Sequence, residues 1–212
     1  MTNLTLARIG GAVALVVAAT AIGVAPASAQ SKHHENVSLA AVLAQDGSGF
    51  DSNPFDYDIL DNAITAVLKA KPHSPVAVLA KGKTRVTAFL PNDEAFRRLS
   101  FDLSGKFTAS ESAVFTDLAT RLGIDTIEAV LLYHVVPGKT ITYKQARKAS
   151  GTTLHTALQG STIKVKVYSK SFVQLRDADK NYFDPFLVQT DINKGNRQIG
   201  HGINEVLRPV DL

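Results

Sequence analysis

The strongest constraint in this sequence is a change of hydrophobic period near Pro137-Gly138. Before that point, apolar residues recur at helical spacing, most clearly from Asp58 to Lys71, where Pro72 would end the helix. After it, short alternating or β-branched runs are separated by Gly, Ser, Asp and Asn, which is typical of strands and turns. One apolar run, residues 85–91, predicts a buried strand inside the helical part. Because helices and strands are segregated rather than alternating, the sequence predicts a single α+β domain.

Helix starts are indicated by two pairs with capping-box spacing, Thr108 with Glu111 and Asp125 with Glu128. The helix from Asp125 is expected to end just before Pro137 and to turn four side chains inward, Ile127, Val130, Leu131 and His134. The later strands are expected within residues 153–158, 162–168, 172–177, 186–191 and 202–210.

The N-terminus is predicted to be a secretory signal peptide over residues 1–29, followed by a disordered segment over residues 30–36. Arg8 precedes an uncharged Ala/Val/Gly-rich run, and Ala27-Ser28-Ala29 supplies the small residues of a cleavage site. A membrane anchor is the alternative, but the run barely reaches spanning length and no charged flank follows it. We therefore expect a secreted protein that contacts the membrane only through the cleaved segment, with cell-wall association as a further option.

Composition limits the kinds of site and partner that the chain can have. The chain has no Cys, which excludes disulfides, thiolate metal sites and a Cys nucleophile. Its net charge of +4 is spread along the chain without a basic block, which argues against a nucleic-acid partner.

Carboxylates in two segments raise the question of a metal site. The run DADKN, residues 177–181, superficially resembles a calcium loop, but Tyr182 and Val188 stand where the EF-hand pattern needs Gly and an acid. A turn between strands explains this run more simply. The acid-rich segment 46–58 favours a solvated loop, and an irregular calcium site there is left open. His33-His34 have no third ligand at a fixed offset, so we predict neither a metal nor a cofactor.

No catalytic residue is predicted. The sequence contains no Gly-x-Ser-x-Gly, His-Glu-x-x-His, Gly-x-Gly-x-x-Gly or Walker pattern, and His73, His155 and His201 are isolated. The adjacent carboxylates Asp93 and Glu94 would point about 100° apart on a helix, so they fit a helix start that begins with Asn92 as N-cap.

The Tyr133-His134 pair ends an apolar helix just before Pro137-Gly138. These two side chains can titrate, bind a metal or contact a partner, or they can lock the turn. A His at a helix C-terminus gains from the helix dipole, and a buried Tyr needs a partner for its hydroxyl. The structural interpretation is favoured on these grounds.

Three stretches in order resemble the fasciclin (FAS1) domain. They are TAFLPNDEAF (87–96), LLYHVVPG (131–138) and GHGINEVLRP (200–209). The first is similar to the family signature T-x-F-x-P-[TS]-[ND]-x-A-F, the second to its Tyr-His motif, and the third to its C-terminal block, with His201 at the family histidine. The resemblance extends over residues 37–210. The motif positions are Thr87, Phe89, Pro91, Asn92, Asp93, Ala95, Phe96, Tyr133, His134, Pro137, Gly138 and His201.

The resemblance implies a wedge-like β fold with helices packed around it, used outside the cell in adhesion and matrix association and mostly non-enzymatic. It also implies a contact role for Tyr133 and His134, because the Tyr-His motif is implicated in integrin binding in animal members. The chain is similar in plan to small secreted single-domain bacterial members. It departs from the family where Gly200 and Gly202 flank His201 and where Asn204 replaces an Asp.

The leading hypothesis is a secreted adhesion or interaction module that binds an extracellular protein or polysaccharide, with its oligomeric state left open. Phe50, Phe55 and Tyr57, in a Gly/Asp-rich stretch, are the candidate contact loop, and the alternative is that they cap the core. A small-ligand or metal-binding module and a hydrolase are the competing classes.

Overall fold

A computed structural model of the chain describes residues 36–45, 47, 49–169 and 171–212. The predicted signal peptide, the disordered segment up to residue 35 and His33-His34 lie outside these described residues. Within them, no helix is both long and apolar enough to cross a membrane.

In the described residues the longer helices lie before Pro137-Gly138, as the change of period predicts, and one short helix lies after it. The helices are α1 (Leu39–Leu43), α2 (Asp58–Ala70), α3 (Asp93–Ser104), α4 (Glu111–Tyr133) and α5 (Tyr143–Ala146), with a 3₁₀ helix at Pro75–Ala80. Asn92 is the N-cap of α3, and its side chain accepts a hydrogen bond from Ala95 N, as expected. Gly123, with φ 72°, breaks α4 into two helices, a backbone conformation that glycine adopts without strain.

Both predicted capping boxes are wrong, because tertiary partners take the carboxylates. The N-cap of α4 is Ser110, and Glu111 instead accepts a hydrogen bond from Asp51 N. Asp125 and Glu128 both pair with Lys71, just beyond the end of α2. The helix ends at Tyr133, three residues before the predicted end at Val136, because the next residues join a sheet.

In the part of the chain that the structure describes, seven strands form two sheets. They are β1 (Val86–Pro91), β2 (Val135–Pro137), β3 (Thr153–His155), β4 (Thr162–Tyr168), β5 (Phe172–Arg176), β6 (Leu187–Ile192) and β7 (Gln198–Ile203). The first sheet has the order β2-β1-β7-β6, and the second has the order β3-β4-β5. β1 pairs parallel with β7 and antiparallel with β2. An isolated antiparallel bridge between Gln174 and Phe186 connects β5 to the segment just before β6.

The central strand β1 separates two cores. Val86, Ala88 and Leu90 face the core shared with α1 to α4, whereas Phe89 faces the core between the sheets. This alternation follows from the two-residue period of a strand that is buried on both faces. The predicted α+β class, with helices packed around a β sandwich, is confirmed.

The last predicted strand was placed too late in the chain. β7 spans Gln198–Ile203, and the residues after it are not in a strand. Asn204 makes two bonds to Phe186, one through its backbone N–H and one through its side-chain oxygen, and the chain then turns away from the sheet. Pro209 supports this, because a proline cannot donate to a sheet ladder.

Candidate functional site

Tyr133 lies at the end of α4 and is fully buried, with 0% exposure. Its hydroxyl donates a hydrogen bond of 2.8 Å to Thr162 O at the start of β4. Burial raises the pKa of Tyr133 to about 12, so the hydroxyl keeps its proton and its donor role. Tyr133 therefore fastens the end of α4 to the second sheet.

His134 is 3% exposed and uses both ring nitrogens. Nε2 accepts a hydrogen bond of 2.9 Å from Leu207 N, so the ring proton lies on Nδ1, which donates over 2.7 Å to Val130 O. Burial lowers the pKa of His134 to about 4, and the ring is neutral at physiological pH. The imidazole connects the last turn of α4 to the C-terminal segment.

These contacts are those of a structural pair, which is the interpretation that the sequence favours. Neither side chain presents a surface to a partner in this conformation, so the contact role implied by the resemblance gains no support from the geometry. Gly138, with φ 78°, completes the turn after Pro137, and its N–H donates to Arg85 O over 2.9 Å.

His201 repeats the arrangement of His134 on β7. Its Nδ1 accepts from Asp191 N over 3.3 Å, and its Nε2 donates to Ile141 O over 2.8 Å. The ring stacks on Phe89 with centroids 6.3 Å apart. Burial lowers the pKa of His201, which keeps this ring neutral as well.

The two glycines that flank His201 make room for other side chains. A Cβ on Gly202 would lie 2.3 Å from the hydroxyl oxygen of Tyr57, and a Cβ on Gly200 would lie 2.6 Å from Leu90 Cδ1. The Tyr57 hydroxyl, in this gap, donates to Gln189 Oε1 over 2.6 Å. The departure from the family pattern at residue 202 is thus compensated by Tyr57.

The first motif also organises the fold. Thr87 Oγ1 donates to Lys139 O over 2.9 Å and accepts from Ile141 N over 2.8 Å, which holds the segment after β2. Ala95 and Phe96 face the helical core. Asp93 reaches across to α2, where its Oδ1 accepts from Ile59 N over 3.0 Å. Asp93 is therefore more than the first-turn acid that the sequence predicts.

The three aromatic residues of the predicted contact loop have different environments. Phe55 is 69% exposed, whereas Phe50 leans on Phe115 with ring centroids 5.7 Å apart. Tyr57 packs against the helical core, and its hydroxyl bonds to Gln189 on β6. The loop thus presents Phe55 to solvent, while Tyr57 takes the core-capping role that the sequence left as an alternative.

A second aromatic surface was missed by the sequence reasoning. Phe101 and Phe107 are 52% and 75% exposed and line an open cleft of about 210 Å³. We call this surface the aromatic cleft, and its lining residues are Glu94, Arg97, Arg98, Phe101, Phe107 and Tyr182. The only available signal was Phe101 on the polar side of α3, because the apolar face of that helix is formed by Phe96 and Leu99.

The run DADKN lies between β5 and β6, and Arg208 organises it. Asp177 Oδ2 accepts from Arg208 N over 2.8 Å, and the Arg208 guanidinium lies 3.9 Å from the ring centroid of Tyr182. The same guanidinium pairs with Asp102 and Asp179. A polar cleft of about 560 Å³ adjoins these residues.

A cluster of carboxylates forms around the acid-rich segment 46–58, and the sequence predicted only part of it. Asp51, Asp56 and Glu111 bring carboxylate oxygens within 4.8 Å of one another, and so do Asp56, Asp58 and Asp93. We call these five residues the acidic cluster. No pattern in the sequence joins Asp93 and Glu111 to the loop, because they lie in two later helices.

The three motifs lie within the region that a protein-family model matches. A family model described as the Fasciclin domain matches residues 62–209. A similar solved structure is a FAS1 domain pair from the insect cell adhesion molecule Fasciclin I, with 15% identity and a TM-score of 0.43. The match covers 71% of this chain and 43% of that chain, so this chain spans less than half of the domain pair. Among curated protein sequences, no relative matches. The family model matches more than half of this chain, and the chain therefore belongs to the fasciclin-domain family.

Proposed function

We propose that this chain is an exported, non-enzymatic adhesion module that binds a cell-surface or matrix protein or a polysaccharide. Fasciclin domains are generally adhesion or interaction modules, which supports the class of function. The observation that carries the proposal is the aromatic cleft, where exposed rings stand beside arginine and glutamate side chains.

The cleft has the composition of a contact surface. Aromatic and arginine side chains are enriched among the residues that dominate binding energy. Arg98 pairs with Glu94 and Glu205, so its guanidinium is held at the rim of the cleft. Phe183 packs edge-on against Tyr182, with centroids 5.4 Å apart, and extends the aromatic surface. These groups offer stacking faces together with donors and acceptors.

The non-enzymatic part of the proposal rests on the buried histidines. His134 and His201 each use both ring nitrogens on backbone groups, so neither can accept a proton from a nucleophile without breaking a structural bond. His73 and His155 lie exposed on the surface.

The test is solid-phase binding of the full chain to whole cells, matrix proteins and extracellular polysaccharides. We expect the double variant Phe101→Ser/Phe107→Ser to bind at least about tenfold more weakly with an unchanged melting temperature. Phe55→Ser tests the predicted loop in the same assay. Phe172→Ser, which removes a similarly exposed ring at the start of β5, is the matched control. Unchanged binding by the double variant, or an equal loss in the control, would contradict the proposal.

A second candidate is a module that binds a small polar ligand. The polar cleft of about 560 Å³ supports it, because ligand pockets typically measure about 300–1,000 Å³. Its walls carry both signs of charge, from Lys164, Arg176 and Asp184 among others. A screen for ligand-dependent increases in melting temperature tests this candidate, and Arg176→Ala should abolish any such increase.

A further inference from the structure

The acidic cluster lies where the loop before α2 meets the starts of three helices. Asp58, Asp93 and Glu111 are the first residues of α2, α3 and α4. Asp56 belongs to both groups of three carboxylates and therefore joins the loop to all three helices. The loop is also held by its backbone, since Asp56 O accepts from Asp93 N over 3.1 Å and Pro54 O accepts from Glu94 N over 2.9 Å.

Two oxygens of the cluster are buried without a partner. Asp93 is 0% exposed, and its Oδ1 is satisfied by Ile59 N, but its Oδ2 accepts no hydrogen bond. Asp56 Oδ1 is likewise buried and unpartnered. A buried carboxylate oxygen without a donor is costly, and most buried polar atoms in folded proteins have partners. These two oxygens point to a positively charged partner.

Among the described residues, no Lys or Arg donates a hydrogen bond to either of these oxygens. Arg97 donates from Nη2 to Glu111 Oε1 over 2.9 Å and lies within 3.8 Å of Glu94. Its guanidinium therefore neutralises Glu111 and leaves Asp56 Oδ1 and Asp93 Oδ2 unmatched. Burial, together with the neighbouring Asp56 carboxyl, raises the pKa of Asp93, which reports the same unfavourable crowding of negative charge.

We propose that the acidic cluster is a binding site for Ca²⁺, with Asp56 and Asp93 as its central ligands. Calcium takes six to eight oxygen ligands at about 2.3–2.6 Å, so ligand oxygens around one ion lie up to about 5 Å apart. The carboxylate oxygens within each group of three lie within 4.8 Å of one another, which fits this limit. Calcium also tolerates irregular geometry, whereas magnesium demands a near-ideal octahedron. Arg97 lines the aromatic cleft and also pairs with Glu111, so the ion site and the cleft are neighbours.

The competing explanation is a proton shared between Asp56 and Asp93. A neutral carboxyl between the two would also satisfy both oxygens without any ion. Replacement of Asp56 by Asn separates the two explanations, because the amide donates a hydrogen bond as a protonated carboxyl does but is a much weaker cation ligand.

The experiment is thermal unfolding of the full chain after treatment with EDTA, with and without added CaCl₂ or MgCl₂. At a free Ca²⁺ concentration about 100-fold above the dissociation constant, we expect the melting temperature to rise by roughly 5 to 10 °C. At equal concentration, MgCl₂ should have a smaller effect. Asp56→Asn should abolish the rise, and Asp211→Asn, at an exposed carboxylate outside the cluster, should retain it.

Terbium luminescence provides a second measurement that does not require an acidic variant to fold. Tb³⁺ in the site should be sensitised by Tyr57, which is adjacent to Asp56 in the chain, and Ca²⁺ should displace it. Tyr57→Phe should lose the luminescence and keep the calcium-dependent rise in melting temperature. The proposal is overturned if Ca²⁺ leaves the wild-type melting temperature unchanged, or if Asp56→Asn responds to Ca²⁺ as the wild type does.

Discussion

Tyr133-His134 and Asp56-Asp93 are both pairs of titratable residues close to helix ends, and they differ in whether every buried side-chain polar atom has a hydrogen-bond partner. Tyr133 and His134 place every side-chain polar atom on a backbone group. Asp56 and Asp93 each leave one buried oxygen without a donor. Burial alone therefore does not distinguish a structural residue from a binding residue in this domain. The inventory of hydrogen bonds does, because a fully matched group has nothing left to offer a ligand.

The largest expected effect comes from breaking the matched pair with His134→Ala. The change leaves Leu207 N and Val130 O without their side-chain partner and opens a cavity in the core. We expect the free energy of unfolding at pH 7 to fall by about 4 kcal/mol, measured by urea denaturation. His155→Ala, at an exposed histidine on β3, should stay within about 0.5 kcal/mol of the wild type. A small loss in His134→Ala would show that the pair does not hold the fold.

Acidification should reduce the contribution of His134 to the free energy of unfolding. Its pKa is lowered from 6.5 to about 4 on folding, so the unfolded state takes up the proton first as the pH falls. The stability that His134 provides is therefore complete above pH 6.5 and is lost between pH 6.5 and 4, by about 3 kcal/mol. Burial raises the pKa of Asp177 to about 7, which acts in the opposite direction in the whole protein.

The difference between wild type and His134→Ala isolates the histidine from Asp177. Urea denaturation at pH 7 and pH 4 should show the gap between the two proteins shrinking by about 3 kcal/mol at the lower pH. A gap that is independent of pH would mean that His134 has the same pKa in the folded and unfolded states.

The smallest expected effect is at Asp56 and Asp93, the pair with unpartnered oxygens. In EDTA, Asp56→Asn should raise the free energy of unfolding by about 1 kcal/mol, because it removes one negative charge and supplies a donor for Asp93 Oδ2. Denaturant unfolding measures this change, with Asp211→Asn as the control. If Asp56→Asn instead destabilised the metal-free protein as strongly as His134→Ala does, Asp56 would be a residue that stabilises the fold, as His134 is.

Much of the fold could be predicted because its signals are local. Asn92 as N-cap, the apolar face of α2 and the buried strand β1 each follow from a few neighbouring residues. The capping boxes failed because Glu111 and Glu128 bind groups 60 and 57 residues away in the chain. β2 was missed because its three residues form a strand only through pairing with β1.

The candidate sites were less predictable for a related reason. The role of Asp93 depends on Asp56 lying beside it, and no sequence period brings together two residues from a loop and a later helix. A structural interpretation of the Tyr-His pair could be argued from the sequence because its constraint, a helix end before Pro137, is local. The exposed Phe107 follows Gly105, which ends α3 in a left-handed conformation, and nothing in its local sequence indicates exposure.

The parallel pairing of β1 with β7 also has a consequence for how the domain is made. Val86 is aligned with Gln198 and Pro91 with Ile203, so the centre of the first sheet joins segments from early and late in the chain. Contacts between such distant segments fold slowly, and the sheet cannot close until the last strand has been synthesised. A chain that is still emerging from the ribosome therefore keeps one edge of β1 unpaired.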